Sequence, residues 1–281
     1  MEGFIDTLNG VIWSNALVYL CLGAGAYFTL ATLFLQIRCL PDMIRQLKSG
    51  ERSEQGISSF QSLMISLAGR VGVGNIAGVA TAIAFGGPGA VFWMWLVALL
   101  GSATSFIECC LAQIYKETDR DTGEYRGGPA YYIEKAYKHT SAAPFMLVYA
   151  IIFAVCMLLA TSYFLPGIQA NGVAAAVDNA WGINIWVSAT IMTVLLAFII
   201  IGGMKRIANF ASMVVPFMAG IYIIIAIVVL FANASQIPEV FGTIVRAAFD
   251  KEAAFSGMLG AAIMWGVKRG IYSNEAGQGT G

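Results

Sequence analysis

Four glycines, an arginine and an asparagine fall within eleven residues, Ala68-Gly69-Arg70-Val71-Gly72-Val73-Gly74-Asn75-Ile76-Ala77-Gly78, inside an apolar stretch running from about Phe60 to Phe85. A lipid-facing helix would carry leucines at these positions, so the spacing predicts a transmembrane helix unwound near the membrane midplane. The backbone groups freed there need partners, because an unpaired amide or carbonyl in hydrocarbon costs several kcal/mol. Those partners are protein, water, ions or a bound solute. Amides at the break, those of Val73 and Gly74, can hold an anionic group, while the carbonyls of Ala68 and Val71 can coordinate sodium. Asn75 can offer an oxygen to a cation or a proton to a carboxylate, or it can be a satisfied core amide. Arg70, a charge at this depth, either pairs inside the bundle, with Glu108 and Glu275 as candidates, or acts next to the site. A close helix crossing through Gly74 and Gly78 is the packing alternative. It accounts for the two glycines and leaves Arg70 and Asn75 unexplained.

Two further stretches carry polar groups in apolar surroundings. Pro166-Gly167 precedes Ile168-Gln169-Ala170-Asn171, which places two amide side chains just after a predicted kink. Residues two apart on a helix face different directions, so one of the pair is expected to reach a site, and Gln169 is preferred over Asn171. Farther on, Lys268 to Gly281 holds three charges and four glycines in fourteen residues. It reads as a second broken helix, the alternative being a polar cytoplasmic tail. Paired interrupted helices are the sequence pointer to a transporter site.

The elements that must position these residues are membrane helices. Hydrophobic residues make up 58% of the chain and charged residues 11%, against about 25% charged in soluble domains, so an all-α polytopic membrane protein is expected. About 20 apolar residues cross the hydrocarbon layer. Seven spans meet that length, at about 15–37, 60–85, 90–115, 145–176, 183–204, 207–232 and 254–281, within a single transmembrane domain. The first fourteen residues contain no Lys or Arg, so the first span lacks the leader of a signal peptide and is expected to remain a membrane helix.

Cations set the orientation. Arg38, Arg45, Lys48 and Arg52, then Lys116, Arg120, Arg126, Lys135 and Lys138, then Lys205 and Arg206 fall in alternate loops on one side, and only Arg246 and Lys251 on the other. The positive-inside rule then puts the N-terminus outside the cell. Gly86-Gly87-Pro88-Gly89 predicts a sharp outward hairpin, and Gly127-Gly128-Pro129 a turn inside. Residues Ile237 to Phe249 have the spacing of an interfacial amphipathic helix with Pro238 in its first turn. Trp93 and Trp95 fit an aromatic belt.

Several classes are excluded. Zero net charge gives no pull toward nucleic acid. The five cysteines show neither metal spacing nor a disulfide framework. The single histidine, His139, lies in a predicted cytoplasmic loop and no Gly-x-Ser-x-Gly elbow occurs, which removes the nucleophile and base that an intramembrane enzyme needs. A channel-like or structural membrane subunit stays open as the rival of a transporter.

On these motifs the sequence resembles the sodium:alanine/glycine symporter family along essentially its whole length. Gly86-Gly87-Pro88-Gly89-Ala90-Val91-Phe92-Trp93-Met94-Trp95-Leu96 is the most specific match. Gly72 to Gly78, Arg126 to Tyr132, Lys268-Arg269-Gly270 and Ser273 to Gly277 support it in the same order. The resemblance implies a leucine-transporter-like fold of two inverted five-helix repeats preceded by one extra helix, with core helices one and six broken at the site. It implies that Val73 and Gly74 present amides to a substrate carboxylate, that Gln169, Asn274 and Gly277 line the pocket, and that Ala68 and Val71 give half a sodium site. The family pattern has threonine where this chain has Val73, which keeps the backbone contact and removes a hydroxyl. The family also carries further helices beyond the last motif. With Gly281 as the end, the fold is expected to be truncated within the second repeat and inactive alone. The implied activity is sodium-coupled symport of alanine or glycine into the cell across the cytoplasmic membrane, with a proton as the alternative ion and no organic cofactor.

Overall fold

Helices account for nearly all of the computed structural model, which describes residues 2–49, 56–121, 123–249 and 258–280. Arg52, Lys251, residues 254–257 of the last predicted span and Gly281 lie outside the described residues. Helices α1 (Glu2–Ile12) and α2 (Asn15–Ala31) lead to the short α3 (Leu35–Arg38) and α4 (Leu40–Ser49). The predicted first span does not run unbroken to residue 37, because Leu33 and Phe34 take positive φ of 54° and 55° and end α2.

The first broken helix comprises α5 (Ser59–Arg70) and α6 (Val73–Gly86). A capping box starts α5: Ser58 Oγ accepts the Gln61 N–H at 3.2 Å and Gln61 Oε1 accepts the Ser58 N–H at 3.0 Å. Gly87, at φ 71°, turns the chain directly into α7 (Gly89–Ile114), as the glycine-proline run predicts. No side chain fits at Gly89, since a Cβ there would stand 2.5 Å from the Ala247 carbonyl.

A two-stranded ribbon of β1 (Glu117–Thr118) and β2 (Tyr125–Arg126) precedes α8 (Pro129–Tyr137). Helices α9 (Ala143–Leu159) and α10 (Leu165–Trp181) are joined through a π-helical turn, Ala160–Phe164. Pro166 has no N–H to give the preceding turn, and the wider π turn absorbs that loss without ending the element. Then follow α11 (Ile185–Ile200), α12 (Gly203–Ala232), α13 (Ile237–Ala248) and α14 (Met258–Asn274).

Among the described residues, five apolar helical stretches are long enough to cross a membrane: Asn9–Ala31, Ser59–Gly86, Gly89–Ile114, Ala143–Trp181 and Gly203–Ala232. The shorter α11 is also apolar. Phe198, Phe217 and Ile221 face outward, as they do when the surrounding solvent is lipid. The protein is therefore a multi-pass membrane protein.

Among the described residues, two small cores hold the bundle. Val18, Val97 and Val267 join α2, α7 and α14, while Met64, Ala211 and Val215 join α5 to α12. Small residues set the approach of α7 to α14: a Cβ on Gly270 would sit 3.0 Å from Val97, and one on Gly266 2.6 Å from Trp93 Cβ. Trp93 thus packs within the bundle, its ring tilted against Phe249 at a centroid distance of 5.9 Å, whereas Trp95 is half exposed against Phe241.

Candidate functional site

The break between α5 and α6 consists of Val71 (φ −113°, ψ 68°) and Gly72 (φ −127°, ψ 175°). The Val71 N–H makes the last bond of α5, to Leu67 O at 2.9 Å, and Gly72 O accepts the first bonds of α6 from Asn75 N at 3.0 Å and Ile76 N at 3.1 Å. Ala68 and Val71 carry their carbonyls at this seam, one in the last turn of α5 and one in the linker.

Side chains occupy two of the groups the break releases. Asn75 Nδ2 donates to the Arg70 carbonyl and so ties the two half-helices together. Gln169 Oε1, on α10, accepts the Val73 N–H at 2.9 Å. Gly74 follows in the first turn of α6, where N–H groups have no partner one turn back within the helix.

A second break follows α14. Glu275, Gly277 and Gly279 adopt φ of 53°, 86° and 93°, a region glycine enters without steric cost and that stops the helix after Asn274. Asn274 Oδ1 accepts the Ala276 N–H at 3.0 Å, and its Nδ2 donates to Val97 O of α7 at 3.1 Å. Thr280 Oγ1 donates to Glu275 Oε2 at 2.6 Å, and Gly277 N donates to Glu108 Oε2 at 2.6 Å. Glu108 is 6% exposed.

Arg70 links the two breaks. Its Nη2 donates to the Asn274 carbonyl at 3.3 Å, and Nη1 is held by the carbonyl and hydroxyl of Ser66 one turn back. Arg70 thus donates to Ser66 and the Asn274 carbonyl, while the two carboxylates expected as its partners, Glu108 and Glu275, accept from the Gly277 amide and the Thr280 hydroxyl. Glu275 also packs on α5, 3.1 Å from where a Gly69 Cβ would be. Tyr272 covers the start of α6: a Cβ on Gly74 would lie 2.5 Å from its Cε1 and 2.7 Å from its hydroxyl oxygen. That hydroxyl is buried, with no hydrogen-bond partner among the described residues. A cavity of about 540 Å³ opens beside the seam, with Arg70, Ser102, Ser105, Ser273 and Asn274 on its polar side.

The two helix breaks, separated by some two hundred residues, therefore meet at one place. Val73, Gly74 and Gln169 are brought together there, and Arg70 joins them to Asn274. Gly277 lies in the same unwound segment, one turn beyond and held by α7. Asn171 sits on an exposed part of α10. Asn75 serves the seam itself through its bond to Arg70. Sequence reasoning missed Tyr272 and Ser66. An aromatic residue in the last turn before a predicted break, and a serine four residues before an arginine in an apolar span, were the available signals.

Glu108 also reaches toward α8, between the spans. Burial first, and then the Glu108 charge, push the Tyr132 hydroxyl up to about 12. This tyrosine stays neutral across the physiological range.

Known proteins are similar to this chain along its length. A Bacillus subtilis (strain 168) protein provisionally named a sodium/proton-dependent alanine carrier, YrbD, is 53% identical over 281 residues, covering 100% of this chain and 56% of its own length. The provisionally named sodium/glutamine symporter GlnT of the same organism is 45% identical over 282 residues, covering 100% and 57%. The sodium/alanine symporter AgcS of Methanococcus maripaludis is 41% identical over 279 residues, covering 98% and 61%. The chain thus spans little more than half the length of these relatives, which are symporters and carriers and not enzymes. The model of the sodium:alanine symporter family matches residues 1–281, and the chain belongs to that family.

Proposed function

We propose that the full-length protein is a sodium-coupled symporter that carries a small neutral amino acid, alanine or glycine, into the cell across the cytoplasmic membrane, with its N-terminus outside. The seven spans expected from the sequence then form the first inverted repeat, its extra helix and the start of the second repeat. The observation that carries this reading is the apposition of two unwound helices: the Val73 amide, bonded to Gln169, and the Asn274 carbonyl, bonded to Arg70, are parts of one seam.

In this reading the substrate carboxylate takes the Val73 and Gly74 amides at the positive end of α6. Gln169 Oε1 now accepts from Val73, so the carboxamide turns aside as the carboxylate arrives and offers its Nε2–H₂ instead. Asn274 and Gly277 face the amino end, where backbone carbonyls suit an ammonium group. Tyr272, whose ring closes over Gly74, is the wall that restricts the substrate side chain to a hydrogen or a methyl in this reading. Sodium binds the Ala68 and Val71 carbonyls and ligands from the second repeat. By ordering the seam, the ion raises substrate affinity, and the substrate raises ion affinity by the same factor.

The names of relatives support the class: two carry alanine in them and one glutamine. The test is thermal unfolding of the purified full-length protein in detergent. Alanine or glycine is expected to raise the midpoint in sodium and to leave it unchanged in potassium. A shift of equal size in both salts, or none with any small amino acid, would count against the reading.

A further inference from the structure

The unwound segment after α14 has few attachments of its own. Within residues 275–280, Glu275 bonds Thr280 and packs on Gly69, Gly279 abuts Pro129 of α8, and the central Gly277 amide donates to Glu108 at 2.6 Å. Glu108 lies on α7, more than 160 residues earlier in the chain, and is 6% exposed inside an apolar span. A buried carboxylate there carries a heavy desolvation cost, so its place demands a specific partner. Hydrogen bonds from a backbone amide to an ionised oxygen are roughly twice as strong as neutral ones. Glu275, at φ 53°, takes the chain off the helical path before Gly277, so the Gly277 amide does not continue the ladder and the carboxylate receives it.

We propose that Glu108 is a positioning residue for the substrate site: its bond to the Gly277 amide holds residues 275–280 in the path that keeps Asn274 against the α5/α6 seam. It touches no substrate. It acts through Gly277, and α7 becomes the rigid wall against which the second broken helix is set. The inference rests on the reading of the two breaks as a transport site. Cys109 of α7 and Tyr132 of α8 are titratable groups near this carboxylate.

The experiment compares native full-length protein with E108A, E108D and E108Q by hydrogen–deuterium exchange and by uptake kinetics. E108A removes the acceptor, E108D withdraws it by one methylene, and E108Q keeps an oxygen in place without the charge. Amides of residues 275–280 are expected to exchange at least about tenfold faster in E108A and E108D, with α10 and α12 unchanged. KM for the transported amino acid is expected to rise by a similar factor while kcat changes less. E108Q is expected to restore most of both. E108D keeps a carboxylate in the bundle and carries the test where E108A does not accumulate. Unchanged protection at 275–280 in both variants overturns the proposal, as does a loss of protection spread equally over α10 and α12. Exchange needs no transport, so a native protein that moves no amino acid defeats the transport reading and leaves this inference to be decided by the exchange data.

Discussion

Gln169 and Val73 stand 96 positions apart in sequence and share a 2.9 Å hydrogen bond, the side-chain oxygen of one accepting the backbone N–H of the other. The bond puts a neutral acceptor on an amide at the positive end of α6, the place where a carboxylate is electrostatically favoured. Gly72 and Gly172 permit it. A Cβ on Gly72 would meet Gln169 Nε2 at 3.0 Å, and one on Gly172 would overlap the Val73 side chain.

Substitution at Gln169 should separate charge from hydrogen bonding. Gln169→Ala is expected to raise KM for alanine about tenfold through loss of a substrate contact. Gln169→Glu, which sets a negative charge where the substrate carboxylate must go, should raise it further, and more at low ionic strength. Uptake kinetics on the full-length variants give the ranking.

Gly74 has no room for a side chain beneath Tyr272. In the full-length protein Gly74→Leu is expected to displace the Tyr272 ring and abolish substrate binding, while the protein still inserts and folds. Gly74→Ala should weaken binding, and pairing it with Tyr272→Ala should recover part of the loss by clearing the ring from the added methyl. Equilibrium binding of labelled alanine and glycine checks all three, and an unchanged affinity for Gly74→Leu would refute the site.

Arg70 holds a permanent positive charge between the two breaks. It is expected to stand in for a first sodium beside the substrate carboxylate, leaving one coupling ion. The sodium Hill coefficient should then be close to about 1, with one net charge moved per substrate. Two sodium ions per substrate would contradict this.

Asn75 should matter for stability ahead of specificity. Asn75→Leu leaves the Arg70 carbonyl at the break without its partner, at a cost of about 1–3 kcal/mol. A lower unfolding midpoint is expected, with the preference between alanine and glycine unchanged, as read by thermal unfolding and by competition uptake.

Both helix breaks were legible in the sequence because glycine and charge in an apolar run have few other physical explanations. Gly72 and Gly277 stand in the unwound segments for that reason. Gln169 was legible as a polar side chain in an apolar span and Val73 as an amide at the helix break, whereas the bond between them was not. The destination of Arg70 was not legible. Sequence offers Glu108 and Glu275 as charge partners, but nothing in composition reveals that the second break turns backbone and hydroxyl donors toward those carboxylates. Trp93 misleads for a similar reason, since an aromatic near a helix end reads as an interface anchor until Gly266 is seen to admit it to the bundle. Tyr272 needed the register of α14 against α6, which only the fold supplies.

The account depends most directly on ion-driven uptake. Full-length protein reconstituted into vesicles is loaded with potassium, diluted into sodium and given radiolabelled alanine or glycine. Accumulation above the external concentration is expected, collapsing on addition of a sodium ionophore and absent when potassium replaces sodium outside. Uptake that only equilibrates, or that proceeds equally without a sodium gradient, would contradict sodium-coupled symport and favour a channel-like role for the two broken helices.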